Sequence, residues 1–479
     1  MQTPILGSSY VARSVNAADS RMVNLFPEVV PDGGLEPAFL QRCPGLKFQQ
    51  TVGAGPVRGL FAPSSVALFY AVIGSTMYSF SALTATPVSL GTVTGTGPVS
   101  IADNGYQLFI AAGATGYIYN YTTAVFAQIT DPDFPGATDV TYLDGYFVFN
   151  QPNSQKIWVT SLLDGTSIDP LEFASAEGAP DLVVGLISDH RELVVLGSGS
   201  MEVWYDAGAL DFPLVRQQGT FSEVGCAAAK SISRMDNQIY WLGQDERGTG
   251  IVYAMSGYVP ARISTHAVEW QIQQYADISD ATSYTYQQDG HQFYVLNFPS
   301  ADTTWVFDVA TGVWHERAEF SNGAFARHRA NNKCVFANEV VVGDFENGNI
   351  YTLDLDIYAD NGATQKWLRS WRALPTGEND FNRTAQHALQ LNCEAGVGLN
   401  AGQGSDPQAM LRWSDDGGHT WSNEHWRSMG VIGKYGFRTI WRRLGMTTKL
   451  RDRVYEVSGT DPVKIAIMGA ELHINKTGA

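Results

Sequence analysis

Seven short apolar runs recur along the chain with a spacing that few folds can produce. They are Leu68-Phe69-Tyr70, Leu108-Phe109-Ile110, Tyr146-Phe147-Val148-Phe149, Leu193-Val194-Val195-Leu196, Ile239-Tyr240-Trp241-Leu242, Phe293-Tyr294-Val295-Leu296 and Val340-Val341-Val342. Their starts lie 40, 38, 47, 46, 54 and 47 residues apart. Most are preceded by a polar turn signal, such as Asp103-Asn104-Gly105, Asp144-Gly145, Asp189-His190-Arg191, Asp236-Asn237, Asp289-Gly290 or Asn331-Asn332-Lys333. A second strand-like segment follows each, for example Gly116-Tyr117-Ile118-Tyr119 or Thr304-Trp305-Val306-Phe307. The runs are too short, too β-branched and too aromatic for a helical repeat. Four short strands in about 40–50 residues is the period of a β-propeller blade. The pattern predicts an all-β chain with a propeller over residues 56–362, of seven blades with six as the fallback. An irregular β-sandwich is the alternative. The apolar run is read as the inner strand of each blade, covered on both faces by neighbouring blades.

Composition agrees with short strands and tight turns. Charged residues are only 16% of the 479, aromatics are 12%, and there are 48 glycines. At 44% hydrophobic residues the chain is globular rather than disordered. No run of about 18 apolar residues is present, so no helix is expected to insert in a membrane. Met1 to Ser14 lacks the basic start and apolar core of a secretory signal. Cys43, Cys226, Cys334 and Cys393 are far apart and form no C-x-x-C, so reduced thiols in a cytosol are expected.

Both ends differ from the repeat. Residues 1–55 are punctuated by Pro4, Pro27, Pro31, Pro37 and Pro44 and read as an extended arm packed along other elements. Residues 363–479 contain about six strand-like segments and suggest a compact sandwich or barrel. Charge divides at the same place. Residues 1–362 hold 16 basic and 37 acidic side chains, a balance of -21; residues 363–479 hold 15 and 11, a balance of +4. Arg427, Lys434, Arg438, Arg442, Arg443, Lys449, Arg451 and Arg453 fall within 27 positions with Asp452 as the one acid. All but Lys449 are candidate partner-binding residues. An acidic protein surface is the expected partner, with DNA phosphate as runner-up, because phosphate contacts would hold DNA that has to slide past. Along 438–444, Arg438 and Arg442 share one strand face and Arg443 takes the other, so at least one arginine of the set is expected to pair internally.

The octapeptide Ser414-Asp415-Asp416-Gly417-Gly418-His419-Thr420-Trp421 matches the S-x-D-x-G-x-T-W pattern of an Asp-box. Ser414 and Asp416 are suited to accept bonds from turn N–H groups, Gly418 supplies positive φ, and Thr420 and Trp421 begin the return strand. The motif is specific as a local fold and weak as a function. No phosphate-binding loop, nucleophile elbow or zinc-binding helix occurs. Asp131-Pro132-Asp133 and Asp354-Leu355-Asp356 lack a full calcium-loop pattern and are read as turns. The residues give no positive sign of catalysis, metal or cofactor. A glycan-binding or glycan-hydrolysing propeller is the competing function.

The segments Ser14-Val15-Asn16-Ala17-Ala18-Asp19-Ser20-Arg21-Met22-Val23-Asn24-Leu25-Phe26-Pro27-Glu28 and Arg42-Cys43-Pro44-Gly45-Leu46 resemble the start of tail proteins of tailed bacteriophages. Arg412 through Trp421, Gly436-Phe437-Arg438 through Gly445, and Arg451-Asp452-Arg453-Val454 look like the same group. The match is to the packaged-DNA stabilisation protein, or tail hub, of short-tailed phages. The resemblance implies a non-enzymatic virion protein without cofactors. It implies a homo-oligomeric ring, a hexamer, below the portal and its adaptor ring. That ring helps close the DNA exit channel and holds the tail needle and tailspikes or fibres. It also implies assembly in the host bacterial cytoplasm and no sequence-specific nucleic-acid binding.

Overall fold

Each repeated unit begins one strand earlier than the apolar run that marks it. In the computed structural model, which describes residues 1–14, 19–31, 36–209, 212–245, 248–374, 383–448 and 452–477, the strand Val57–Phe61 pairs with Phe69–Ile73. That strand pairs in turn with Thr76–Phe80, and Thr76–Phe80 with Val88–Thr92. The same antiparallel meander builds blades 2, 3 and 4 from Ser100–Asp103, Val140–Leu143 and Val183–Asp189 outward. Blade 5 splits its innermost position between Gly225–Cys226 and Ser233–Met235, and blade 6 runs from Thr282–Gln288 to Val313–Glu316. The apolar runs are therefore the second strands, not the inner ones. The physical reason is the edge. An innermost strand turns one side to the channel and carries Arg58, Ser100, Thr141, Ser283 or Asn332. The second strand, such as Phe69–Ile73 or Gln107–Ala111, is buried along its whole length between adjacent sheets.

The polar turn signals join first strand to second. Asp144-Gly145 and Asp289-Gly290 have φ of 46° and 102°, and 48° and 80°. Two successive positive φ values are what a two-residue hairpin needs to match strand twist, and Asp-Gly supplies them at little cost. Several of these hairpins are tied to the next blade. Asp144 accepts a bidentate bond from Arg191 (3.0 Å), and Asp236 accepts from Gln292 Nε2 (3.0 Å).

Blade 7 closes the ring with a borrowed strand. Ala330–Phe336, Glu339–Asp344 and Asn349–Asp354 come from the repeat, but the fourth strand is Gly45–Thr51 from the N-terminal region, with the short strands Ala359–Asp360 and Ala363–Thr364 beyond it. Blade 7 meets blade 1 where Asn332 Nδ2 donates to Val57 O at 2.7 Å. Seven blades result.

Residues 363–477 form a sandwich, and the first 50 residues contribute to both of its layers. One sheet runs Thr439–Arg442, Arg383–Cys393, Ala466–Thr477, Ala38–Arg42 and Leu25–Val29, with Gln2–Thr3 also on Ala466–Thr477. The other runs Met22–Val23, Trp367–Arg372, Val454–Gly459, Gln408–Ser414 and His425–Ser428. Ile5, Met22, Leu25 and Leu40 pack into one core with Trp367, Trp371, Trp441, Leu411 and Val457. The N-terminal segment is thus woven into the sandwich and the ring rather than laid over them. Val313–Glu316 of blade 6 pairs in parallel with Met22–Val23, so one nine-stranded sheet passes from propeller into sandwich. Arg21 binds Glu316 across this seam (2.9 and 2.7 Å), and Asn24 Nδ2 donates to Ala318 O and Lys366 O.

Candidate partner-binding face

The Asp-box is a closed set of bonds. It caps the hairpin between Gln408–Ser414 and His425–Ser428, so the return strand begins at His425 and not at Thr420 and Trp421, because Asp416 holds Thr420 within the turn. Ser414 Oγ donates to Asp416 Oδ1 (2.6 Å) and accepts from Gly418 N (2.8 Å). Asp416 also accepts from Thr420 N (2.8 Å) and Thr420 Oγ1 (2.6 Å). These bonds to the charged form hold the Asp416 carboxyl well below the usual carboxylate range. Gly417 and Gly418 have φ of 77° and 103°. A Cβ on Gly418 would lie 2.3 Å from Asp19 Oδ2, so the turn packs directly on the N-terminal segment. Trp421 lies under the Arg412 guanidinium, 4.7 Å from its carbon, while Arg412 pairs with Glu456. The side chains of Ser414, Asp416 and Thr420 are spent on the turn itself.

The basic stretch separates into three environments. Arg438 and Arg442 project from the same outer face of the sandwich, beside Ile440, and line a shallow depression of about 350 Å³ with Gln390, Glu471 and His473. Arg438 Nε donates to Gln390 Oε1 at 2.9 Å. Arg443 ends the strand at φ 62° and is exposed; its backbone N donates to His387 O. Arg427 and Lys434 are exposed on the neighbouring edge strand and on the loop that precedes Arg438. Arg451 lies outside the described residues, as do Val15 to Ala18 of the N-terminal motif and Lys449 of the basic stretch.

Arg453 is not available to a partner. It is 2% exposed, forms a bidentate pair with Asp415 of the Asp-box (2.6 and 2.8 Å), and donates to Leu444 O. The Trp413 ring packs against its guanidinium at 5.2 Å. It is the internally paired arginine of the set, and its role is to fasten the Asp-box turn to the core.

The same stretch of chain exposes apolar side chains that the sequence reading did not select. Trp426 is 53% exposed, Ile432 52%, Tyr435 78% and Phe437 41%. They alternate along the chain with Arg427, Lys434 and Arg438. The loop bearing them is fixed, because Gly433 N donates to Gly396 O and Phe437 N to Lys434 O. Their interleaving with the basic residues was the signal available in the sequence.

Elsewhere the polar groups serve structure. In the propeller channel, a cavity of about 260 Å³, Lys230 pairs with Asp139 (3.2 Å) and Ser100 Oγ donates to the same carboxylate. The Arg58 guanidinium donates to four main-chain carbonyls, of Gly74, Val93, Thr94 and Gly97. Asp131 accepts from Asp133 N, and Asp354 from Asp356 N, as turn formers.

Two family models match, the beta-propeller of bacteriophage P22 Gp10 over residues 1–358 and the beta-sandwich of the same protein over residues 367–475. No curated protein matches the sequence. Among solved structures, the chain is similar to the computationally designed Ika8 protein at 15% identity and a TM-score of 0.39, over 70% of this chain and 99% of that one. It is similar to the N-terminal domain of Nup159 at 11% identity and a TM-score of 0.42, over 70% and 99%. It is similar to PorZ of Porphyromonas gingivalis at 11% identity and a TM-score of 0.40, over 72% and 44%. Since the two Gp10 models together span both the propeller and the sandwich, the chain belongs to the bacteriophage P22 Gp10 family of phage stabilisation proteins, structural components of the virion.

Proposed function

We propose that this virion protein is a tail hub. In this reading it forms a closed homo-oligomeric ring, of six copies, below the portal and its adaptor. The ring helps to close the DNA exit channel, retains the packaged genome, and seats the tail needle and tailspikes or fibres. It acts by binding, not by catalysis, and assembles in the host bacterial cytoplasm. The observation that carries the reading is the exposed basic and aromatic stretch from Trp426 to Arg442 of the sandwich, which is joined to an acidic propeller by one continuous sheet. A two-part body with opposite charge on its parts suits heterologous contacts that close by rotation. The acidic propeller, at -21 over residues 1–362, repels a DNA backbone and suits a wall past which DNA slides. The channel within one propeller is a cavity of only about 260 Å³, so the DNA path in this reading runs between copies.

Reversal of Arg438 and Arg442 to Glu together tests the face. Both are exposed, so the variant should melt near the wild type while failing to assemble with the connector. Intact assembly combined with weakened, salt-sensitive DNA binding would transfer the face to DNA. Intact assembly with unchanged DNA binding would remove it from the account.

A further inference from the structure

Between blades 6 and 7, where the N-terminal segment crosses them, lies a buried cation without a counter-charge. Arg317 follows the outermost strand of blade 6 and is 1% exposed. Its Nε, Nη1 and Nη2 make no hydrogen bond. The guanidinium carbon stands 4.9 Å from the ring centre of Phe293 and 5.2 Å from that of Tyr286. The polar groups in its field are unpaired too: Tyr284 Oη, Tyr286 Oη, both ring nitrogens of His315, and His328 Nε2. Tyr286 Oη and the Cys43 thiol come close to the guanidinium without reaching hydrogen-bond geometry.

None of these neighbours supplies negative charge. Burial pushes the Tyr284 and Tyr286 phenols and the Cys43 thiol up, and it pushes His315 and His328 down, so all five are neutral. The acids of this region are engaged elsewhere. Asp308 binds His291 (2.9 Å), Asp344 binds Arg329 (2.8 Å) and Glu316 binds Arg21 (2.7 Å); Asp360 accepts from Gln365 at one oxygen (3.2 Å), and burial pushes its carboxyl, whose other oxygen is unpaired, up to about 7. A guanidinium keeps its proton in proteins. Two π faces offset part of the loss of water but leave the N–H groups unsatisfied. Buried groups left unpaired in this way are accounted for by an ordered water or ion.

We propose that Arg317 holds a small monovalent anion of the size and charge of chloride. The surroundings can turn donors to such an ion: the guanidinium N–H groups, two phenolic O–H groups, one N–H of the neutral His315 ring, and the Nε2–H of His328, whose Nδ1 accepts from Ala330 N. One positive charge calls for one negative charge, because the other cations of the region are already engaged: His291 by Asp308 and Glu28, Arg329 by Asp344 and Glu319, and Arg42 by main-chain and amide oxygens. The donors come from blade 6 (Tyr284, Tyr286, His315, Arg317) and from His328 on the approach to blade 7, beside Cys43 of the N-terminal segment. The anion therefore keys together the elements that close the ring.

The test uses the full-length protein. Crystals grown with bromide in place of chloride should show one anomalous peak within hydrogen-bonding distance of the Arg317 guanidinium. At fixed ionic strength, Tm should rise with halide concentration when gluconate is replaced by chloride, and Arg317→Met should abolish that dependence. A site holding only water, or nothing, overturns the proposal. A peak seen only at high bromide with a flat Tm shows an adventitious ion and overturns it as well. If Arg317→Met does not fold, the wild-type bromide map and halide titration still decide.

Discussion

At the residue scale, the N-terminal segment is held by buried polar contacts whose strength depends on pH. His291 of blade 6 lies between Asp308 (2.9 Å from Nδ1) and Glu28 of the segment (2.5 Å from Nε2). Burial pulls its pKa down, but the bonds to Asp308 and Glu28 outweigh this and lift it from 6.5 to about 9. A pKa raised on folding gives stability that is fully present below the unfolded value and is lost as pH rises through the folded one. The window is therefore from about 6.5 to about 9. Tm should fall across that window in the wild type, and His291→Gln should flatten this part of the Tm–pH profile. Arg453 provides a second measurement. Arg453→Ala leaves the partly buried Asp415 without its partner and should cost about 3–5 kcal/mol in denaturant unfolding, the range for breaking a buried pair. By contrast, exposed Arg427→Ala should cost almost nothing. The sequence showed eight basic residues in one stretch but not their different fates. Arg453 is buried through Asp415, 38 positions away, and Trp413, and no local periodicity encodes that contact. The alternation of Arg438, Ile440 and Arg442 is local, and that part could be read.

At the element scale, blade number and strand order had different visibility. The seven apolar runs fixed the number of units, because a strand covered on both faces has to be apolar along its whole length. They misplaced the inner strand, because the channel-lining strand is half polar and resembles a loop in sequence. The origin of the closing strand was not visible at all. Gly45–Thr51 pairs with Asn349–Asp354, a partner some 300 residues distant. One residue in this strand explains its own identity. A Cβ at Gly45 would stand 2.4 Å from Ile357 O and 2.5 Å from Ala359 O, both main-chain atoms that have no room to yield. Gly45→Val should therefore loosen the closing strand. Hydrogen exchange should accelerate in 45–51 and 349–354 while the second strands of blades 2 to 4 remain protected. Uniform acceleration across all blades would show that closure is not local to blade 7.

At the scale of the whole molecule, the charge division seen in the sequence coincides with a mechanical unit. The propeller and the sandwich share one sheet, the Arg21–Glu316 ion pair at its seam and the same first 50 residues, so the acidic and basic parts are joined by more than a linker. Trp426, Ile432, Tyr435 and Phe437 are exposed in the same stretch of the sandwich as Arg427, Lys434, Arg438 and Arg442, and the proposed function takes this stretch as the partner-binding surface. The sequence pointed to the cations and passed over the aromatic residues, because exposure of an aromatic side chain is a tertiary property. The central claim is that this face builds a closed ring. Native mass measurement of the purified protein, alone and with the portal and adaptor components, tests it most directly. The account predicts one discrete closed species of six copies in the presence of those components. A chain that stays monomeric with them at working concentration would contradict it.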